Sequence, residues 1–245
     1  MFPYDSALLV AVERTPQTIA DVIQMLESIQ SICSDGDGLK WFNGLYLEVT
    51  RAVQARVQAA GFGDSQWIAA LDVRFAVFYF VAMRGALSGA ALPGAGAPGC
   101  WQALFNVRNQ AAVARIQFAL AGMNAHINHD LPQAVADVCA ATSIEPQHGS
   151  TQYNDFTALN TTLDSLIDAA KKNLCVRLLG DALPPVSRLE DTIAAWSISS
   201  AREAAWNNAE LLVHLEDEPP ISGTFVDTLD DLTAATSETL LVPVP

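Results

Sequence analysis

Apolar residues recur at steps of three and four along most of the chain, the period of a helix with one buried face. Ile19, Val22, Ile23, Leu26 and Ile29 form the first stripe. Thr15-Pro16 predicts its start, a hydroxyl cap and then proline at the first helical position. The cluster SDGDG at 34–38 predicts its end, and Asp37 is placed to cap the next helix. That helix carries Phe42, Leu45, Tyr46, Val49, Val53 and Val57, with Gly61-Phe62-Gly63 closing it. Asp64 opens a third, with Trp67, Ile68, Leu71, Phe75, Phe78, Tyr79 and Ala82. Small residues and two prolines across 88–99 predict a surface loop, with a lid as its functional alternative.

Trp101, Leu104 and Phe105 suggest a short helix. A longer one is expected from about Gln110 through Val113, Ile116, Leu120 and Met123. Pro132 should bend or interrupt it, because proline has no amide proton and crowds the preceding turn; the helix then resumes through Val138. Residues 142–154 read as loop, and about Asp155 to Leu179 as helix, ended by Gly180. After a break at Leu183-Pro184-Pro185, a long helix is expected from about Ser187 to Glu216, stopped by Pro219-Pro220. A last helix runs from about Gly223 to Leu240. No alternating pattern predicts a strand. The expected architecture is an all-α bundle of about seven to nine helices in one helical domain, residues 1–245.

Composition adds an apolar excess: 51% of the 245 residues are hydrophobic and only 16% charged. A thick core, a homo-oligomer interface or a pocket for a small apolar molecule would use it. The net charge of −14 repels phosphate backbones and anionic membranes, so neither nucleic acid nor membrane is an expected partner. Cys33, Cys100, Cys139 and Cys175 are widely spaced, form no CxxC pair and read as reduced thiols of a cytoplasmic protein. The N-terminal MFPYDSALLVAVERTP has no basic start and no clear cleavage site, so no leader is expected. No stretch of about eighteen apolar residues predicts a membrane span.

The chemistry gathers at residues 122–132, GMNAHINHDLP, which hold half of the four histidines. His126 and Asp130 are four apart and share a helix face. Such a pair suits a general base whose acid orients the imidazole, or two ligands of a divalent metal ion. Gly122, one turn earlier, lets another group come close. Asn124, Asn128 and His129 flank the face. Asp72 falls on the apolar face of the third helix, where an acid needs a partner or a metal. On the long late helix, Trp196, Ser200, Glu203, Asn207, Glu210 and His214 form a polar stripe, and Arg202 and Trp206 are one turn apart.

The expected catalytic set is thus His126, Asp130 and Glu203, with Asn124, Asn128, Arg202, Trp206 and Tyr79 toward substrate. His126, Asp130 and Asp72 are the candidate ligands of one divalent metal ion. Trp41 and Trp196 are further candidate walls, Glu48 and Tyr46 weaker partners, and His148 and His214 expected surface residues. The reading is an enzyme acting on a small, largely apolar molecule through a His/Asp interior site, with metal-assisted hydrolysis or water activation as the chemistry. The alternative is a non-catalytic module that binds an apolar molecule or a partner helix, the polar cluster fixing helix register. No GxSxG, GxxxxGK[ST], HExxH or dinucleotide GxGxxG nominates another chemistry.

Five segments carry a resemblance: DGLKWFNGLYLEVTRAV (37–53), LDVRFA (71–76), FALAGMNAHINHDLPQAV (118–135), WSISSAREAAWNNAELL (196–212) and LLVPV (240–244). Through them the whole chain resembles a mostly bacterial family catalogued as a domain of unknown function. The resemblance implies a helical protein with a shared Asn-Ala-His-Ile-Asn-x-Asp site and no established activity. It places His129 at the variable position, below His126, Asn128 and Asp130. Gly122, His126 and Asp130 also resemble the Gly-x3-His-x3-Asp helix of zinc-dependent phospholipase C. Those enzymes hold three zinc ions with many histidines, which this chain's four histidines do not match.

Overall fold

The computed structural model describes residues 2–88, 96–181 and 197–243. Trp196, most of the 88–99 loop, the break at 183–185 and the expected start of the long helix lie outside them. The described residues are all-α. In chain order the helices are α1 (Asp5–Ala11), α2 (Ile19–Ile32), α3 (Leu39–Gln58), α4 (Ser65–Leu87), α5 (Gly99–Val107), α6 (Arg115–Ala125), α7 (Leu131–Thr142), α8 (Thr151–Thr157), α9 (Asn160–Leu174), α10 (Ile198–His214) and α11 (Pro219–Leu240). A π-helical turn, His126–Asp130, joins α6 to α7. Counting α6 to α7 as one interrupted helix and α8–α9 as another gives nine among the described residues. The only pairing outside helices among those residues is an isolated bridge between Ala114 and Arg177.

Helix starts follow local chemistry more than the coarse pattern. α2 begins at Thr18, three residues later than Thr15-Pro16 suggests, because Thr18 and Asp21 form a reciprocal capping box. Asp37 accepts from the Leu39 amide at 3.0 Å, and Asp64 from the Trp67 amide at 3.0 Å, as expected for α3 and α4. Asp155 lies inside α8 and accepts from the Gly63 and Asp64 amides at 2.8 and 2.7 Å, tying α8 to the start of α4. Pro219-Pro220 begins α11 instead of stopping α10, since the first helical turn has no use for those amides. α1 is a helix the sequence pattern did not single out. At its start Tyr4 reaches Asp37, and Asp5, its first residue, reaches the buried Arg108.

The middle of the fold is the run α6–π–α7. Every residue from Ile116 to Ala125 is buried, so α6 is apolar nearly all round and is enclosed on every side. α3 and α11 pack on α6; α4 and α10 pack on α7; α4, α10 and α11 pack on the π turn, and Tyr46 and Phe42 of α3 meet its His126 ring. Close approach is set by Gly122: a Cβ there would lie 2.3 Å from Phe42 Cγ, so only glycine lets the Phe42 ring in. One correction concerns α4. By length and composition Ser65–Leu87 is apolar enough to cross a membrane, with mean hydropathy 1.4 over its most apolar window, half of which is buried in the fold. Trp67, Ile68, Leu71, Ala76, Tyr79, Phe80 and Met83 place it in the common core.

Candidate functional site

Pro132 cannot donate to the carbonyl four residues back, and the helix widens just before it into the π turn. The turn places two imidazoles on one carboxylate. His126 Nδ1 donates to Asp130 Oδ2 at 2.9 Å, and His129 Nδ1 donates to Asp130 Oδ1 at 2.7 Å. From α5, Trp101 Nε1 donates to Asp130 Oδ2 at 3.0 Å. Asp130 is 1% exposed. Burial raises its carboxyl, but the bonds from His126 and His129 outweigh this and hold it below the usual range. Asp130 is therefore a buried carboxylate anion. Burial keeps His126 below the ordinary histidine value despite Asp130, so its ring is neutral near pH 7. His129 is pulled down by burial, but Asp130 and, from α11, Asp230 bring it above the ordinary value.

With Nδ1–H committed to Asp130, His126 Nε2 carries the lone pair. That atom is buried and has no partner among the described residues. Aromatic rings surround it. Phe75 lies flat on the imidazole with centroids 3.4 Å apart and planes 7° apart. Tyr46 meets it edge-on at 4.6 Å, and Phe42, Trp101 and Tyr79 stand at 5.8, 5.9 and 6.2 Å. Two more buried polar atoms in this region lack partners among the described residues: Tyr46 Oη and Asp72 Oδ2. Asp72 is one turn before Phe75 on α4, and its charge, with that of Asp130, acts on Tyr46. Burial alone lifts the Asp72 carboxyl to about 7. Burial likewise lifts the Tyr46 hydroxyl well above its usual value.

The structure thus brings together His126, Asp130 and Tyr79, while Asp72 is linked to them only through its charge on Tyr46. It adds His129, Trp101 and Phe75. Asn124 and Asn128 face the other way. Asn124 Nδ2 donates to Thr233 O and Ser237 Oγ, both at 2.9 Å, and its Oδ1 accepts from Asn128 at 2.8 Å. They clasp α11. The α10 candidates also lie elsewhere. Glu203 is held by His148 and Tyr153 at 3.0 and 2.9 Å on the solvated side. Arg202 reaches Asn160 and the Phe156 carbonyl, its guanidinium 3.9 Å from the Phe156 ring and lowered to about 9 by burial. Trp206 packs 5.1 Å from that ring and donates to Glu210. Arg202 and Trp206 therefore flank Phe156 and do not stack on each other. Trp41 lies under Arg115, and Glu48 pairs with Arg51. His148 and His214 are exposed, as expected.

Among the described residues no three His, Cys, Asp or Glu side chains form a group able to hold a metal ion, so His126, Asp130 and Asp72 do not converge as ligands. Both Asp130 oxygens are instead engaged by ring N–H donors. The geometry is that of an oriented imidazole in a buried aromatic box. No curated protein and no solved structure matches the chain. A family model matches residues 19–243, and the chain belongs to that family, described as a family of unknown function, DUF5995.

Proposed function

We propose that the protein is an acid–base enzyme acting on a small, largely apolar molecule that bears one uncharged polar group. The observation that carries this reading is the buried, unpartnered His126 Nε2, fixed as the basic nitrogen by Asp130. His126 is the general base and Asp130 its orienter. An acid is available too: Asp72, lifted to about 7, is partly protonated at neutral pH. Two groups pushed in opposite directions, an imidazole down and a carboxyl up, make an acid and a base usable together. In the simplest chemistry, water gives a proton to Nε2 while its oxygen attacks a carbonyl carbon. The carbonyl oxygen takes a hydrogen bond, then a proton, from Asp72, with Tyr46 Oη as a second donor. The aromatic walls select an apolar body.

The test is consumption of small neutral compounds from a cell extract, followed by mass spectrometry, for the wild type, His126→Gln and Asp72→Asn. The expected result is a compound consumed by the wild type and at least about a hundredfold more slowly by His126→Gln, the scale of general-base catalysis. Equal profiles for wild type and a folded His126→Gln would overturn the reading. A second reading, a purely structural network, is favoured by the three donors that fill Asp130. It expects His126→Gln to alter stability alone.

A further inference from the structure

One carboxylate serves two imidazoles in this site, and its charge balances only one of them as a cation. Asp130 Oδ2 faces His126 Nδ1 at 2.9 Å, and Oδ1 faces His129 Nδ1 at 2.7 Å. Protonating both rings would put two cations on one anion in a buried place, which desolvation and like-charge repulsion oppose. The two rings therefore share one proton, and their surroundings decide which holds it. His126 is walled by Phe42, Tyr46, Phe75, Tyr79 and Trp101. Asp130 is the charged group that acts on it, and Tyr46 and Tyr79 are the uncharged titratable ones in contact. His129 has Asp130 and also the charge of Asp230, which α11 brings to the amides of Gly99 and Cys100 at 2.7 and 2.9 Å. Half-buried Gln133 stands beside its other ring nitrogen, Nε2, at 3.3 Å. The amide nitrogen faces Nε2, which suits a neutral ring; turning the amide about its last bond presents its oxygen to a charged one.

We propose that His129 is a positioning residue: it holds the proton that the two rings share and so keeps His126 Nε2 free to act as the base. This rests on the acid–base reading and adds the group that maintains the base. A cation on Oδ1 offsets part of the Asp130 charge and repels a second cation on Oδ2. Without it the whole charge of Asp130 falls on His126, whose ring then takes the proton. Deleting one histidine thus makes the other more basic and, near neutral pH, protonates it out of its role.

The test is two-bond proton–nitrogen correlation spectroscopy of the histidine rings in the full chain. It is recorded across the titration range for the wild type and for His129→Gln, which can still donate to Asp130 but carries no charge. The expected wild-type result, at about pH 6.5, the ordinary histidine value, is a charged His129 beside a neutral His126 with its proton on Nδ1. In His129→Gln the His126 titration should move up by at least about one pH unit, the scale on which neighbouring sites couple. His129→Asn gives the same direction should the glutamine variant fail to fold. A merely structural His129 would change stability and leave the His126 titration where it was. That outcome in a folded variant would overturn the inference and leave His126 in place as the base. A neutral His129 in the wild type at that pH would overturn it too, and a charged His126 there would overturn the acid–base reading as well.

Discussion

Asp72 offers the most direct physical test, because it should destabilise the fold above neutral pH. The residue is 8% exposed, its Oδ2 has no partner among the described residues, and burial lifts its carboxyl to about 7. In the unfolded chain an aspartate titrates near 3.9. Between those values the native state holds a proton that the unfolded state has released, so stability falls as pH rises. Three decades of proton affinity correspond to about 4 kcal/mol. The stabilisation is fully present below about pH 4, declines through pH 5 and 6, and is gone above about pH 7 to 8. Asp72→Asn cannot ionise and keeps the shape. Urea unfolding of both proteins at pH 5, 6, 7 and 8 measures the difference. The variant should lack this slope and be more stable than the wild type at pH 8 by up to about 4 kcal/mol, a large fraction of a typical 5–15 kcal/mol total. Parallel pH curves for the two proteins would refute the reasoning and mean that Asp72 has a compensating partner in solution.

Three other changes probe the surroundings. Asp130→Ala strands three buried donors, His126 Nδ1, His129 Nδ1 and Trp101 Nε1, at about 1–3 kcal/mol each, and a loss of roughly 4 kcal/mol or more is expected by denaturant melting. Gly122→Ala puts a Cβ 2.3 Å from Phe42 Cγ; overpacking of about 1–3 kcal/mol less about 1 kcal/mol of helix propensity leaves a net loss, with Phe42 and His126 ring resonances shifted in NMR spectra. Asn124→Leu removes the bonds to Thr233 and Ser237, and amide exchange should speed in α11 before it does in α4.

The helical faces were legible because burial obeys the 3.6-residue period, and α2, α3 and α4 carry the expected stripes. Helix starts were less so. The Thr18–Asp21 box competes with Thr15-Pro16 within a few residues, and only the hydrogen bonds decide between them. Proline pairs mark a helix start as readily as a stop, which is why Pro219-Pro220 opened α11. On α10 the polar stripe was expected to meet the His126 cluster, and Glu203 and Arg202 find other partners. Ala205, Ala209 and Leu212 fill the core, which turns Glu203 toward His148. That choice depends on packing against α7, a tertiary fact absent from the local pattern. Asp72 was visible as an acid on an apolar face, and that anomaly survived folding.

His129 shows where helix arithmetic stops. In an α-helix neighbours i and i+1 diverge by about 100°, so a histidine directly before the aspartate should not meet it. His126 was found by the i+4 rule; His129 was read as flanking that face and ranked lower by its variable place in the motif. The π turn changes the angular step over five residues and lets both rings address opposite oxygens of Asp130. The same turn leaves α7 in register to bury Leu131, Ala134, Val135 and Val138. One extra residue per turn thus reconciles two demands: a core face that continues past Pro132, and a carboxylate held from both sides. The polar cluster is where the apolar helix yields its regular hydrogen bonding, and the atom left over from that exchange is His126 Nε2.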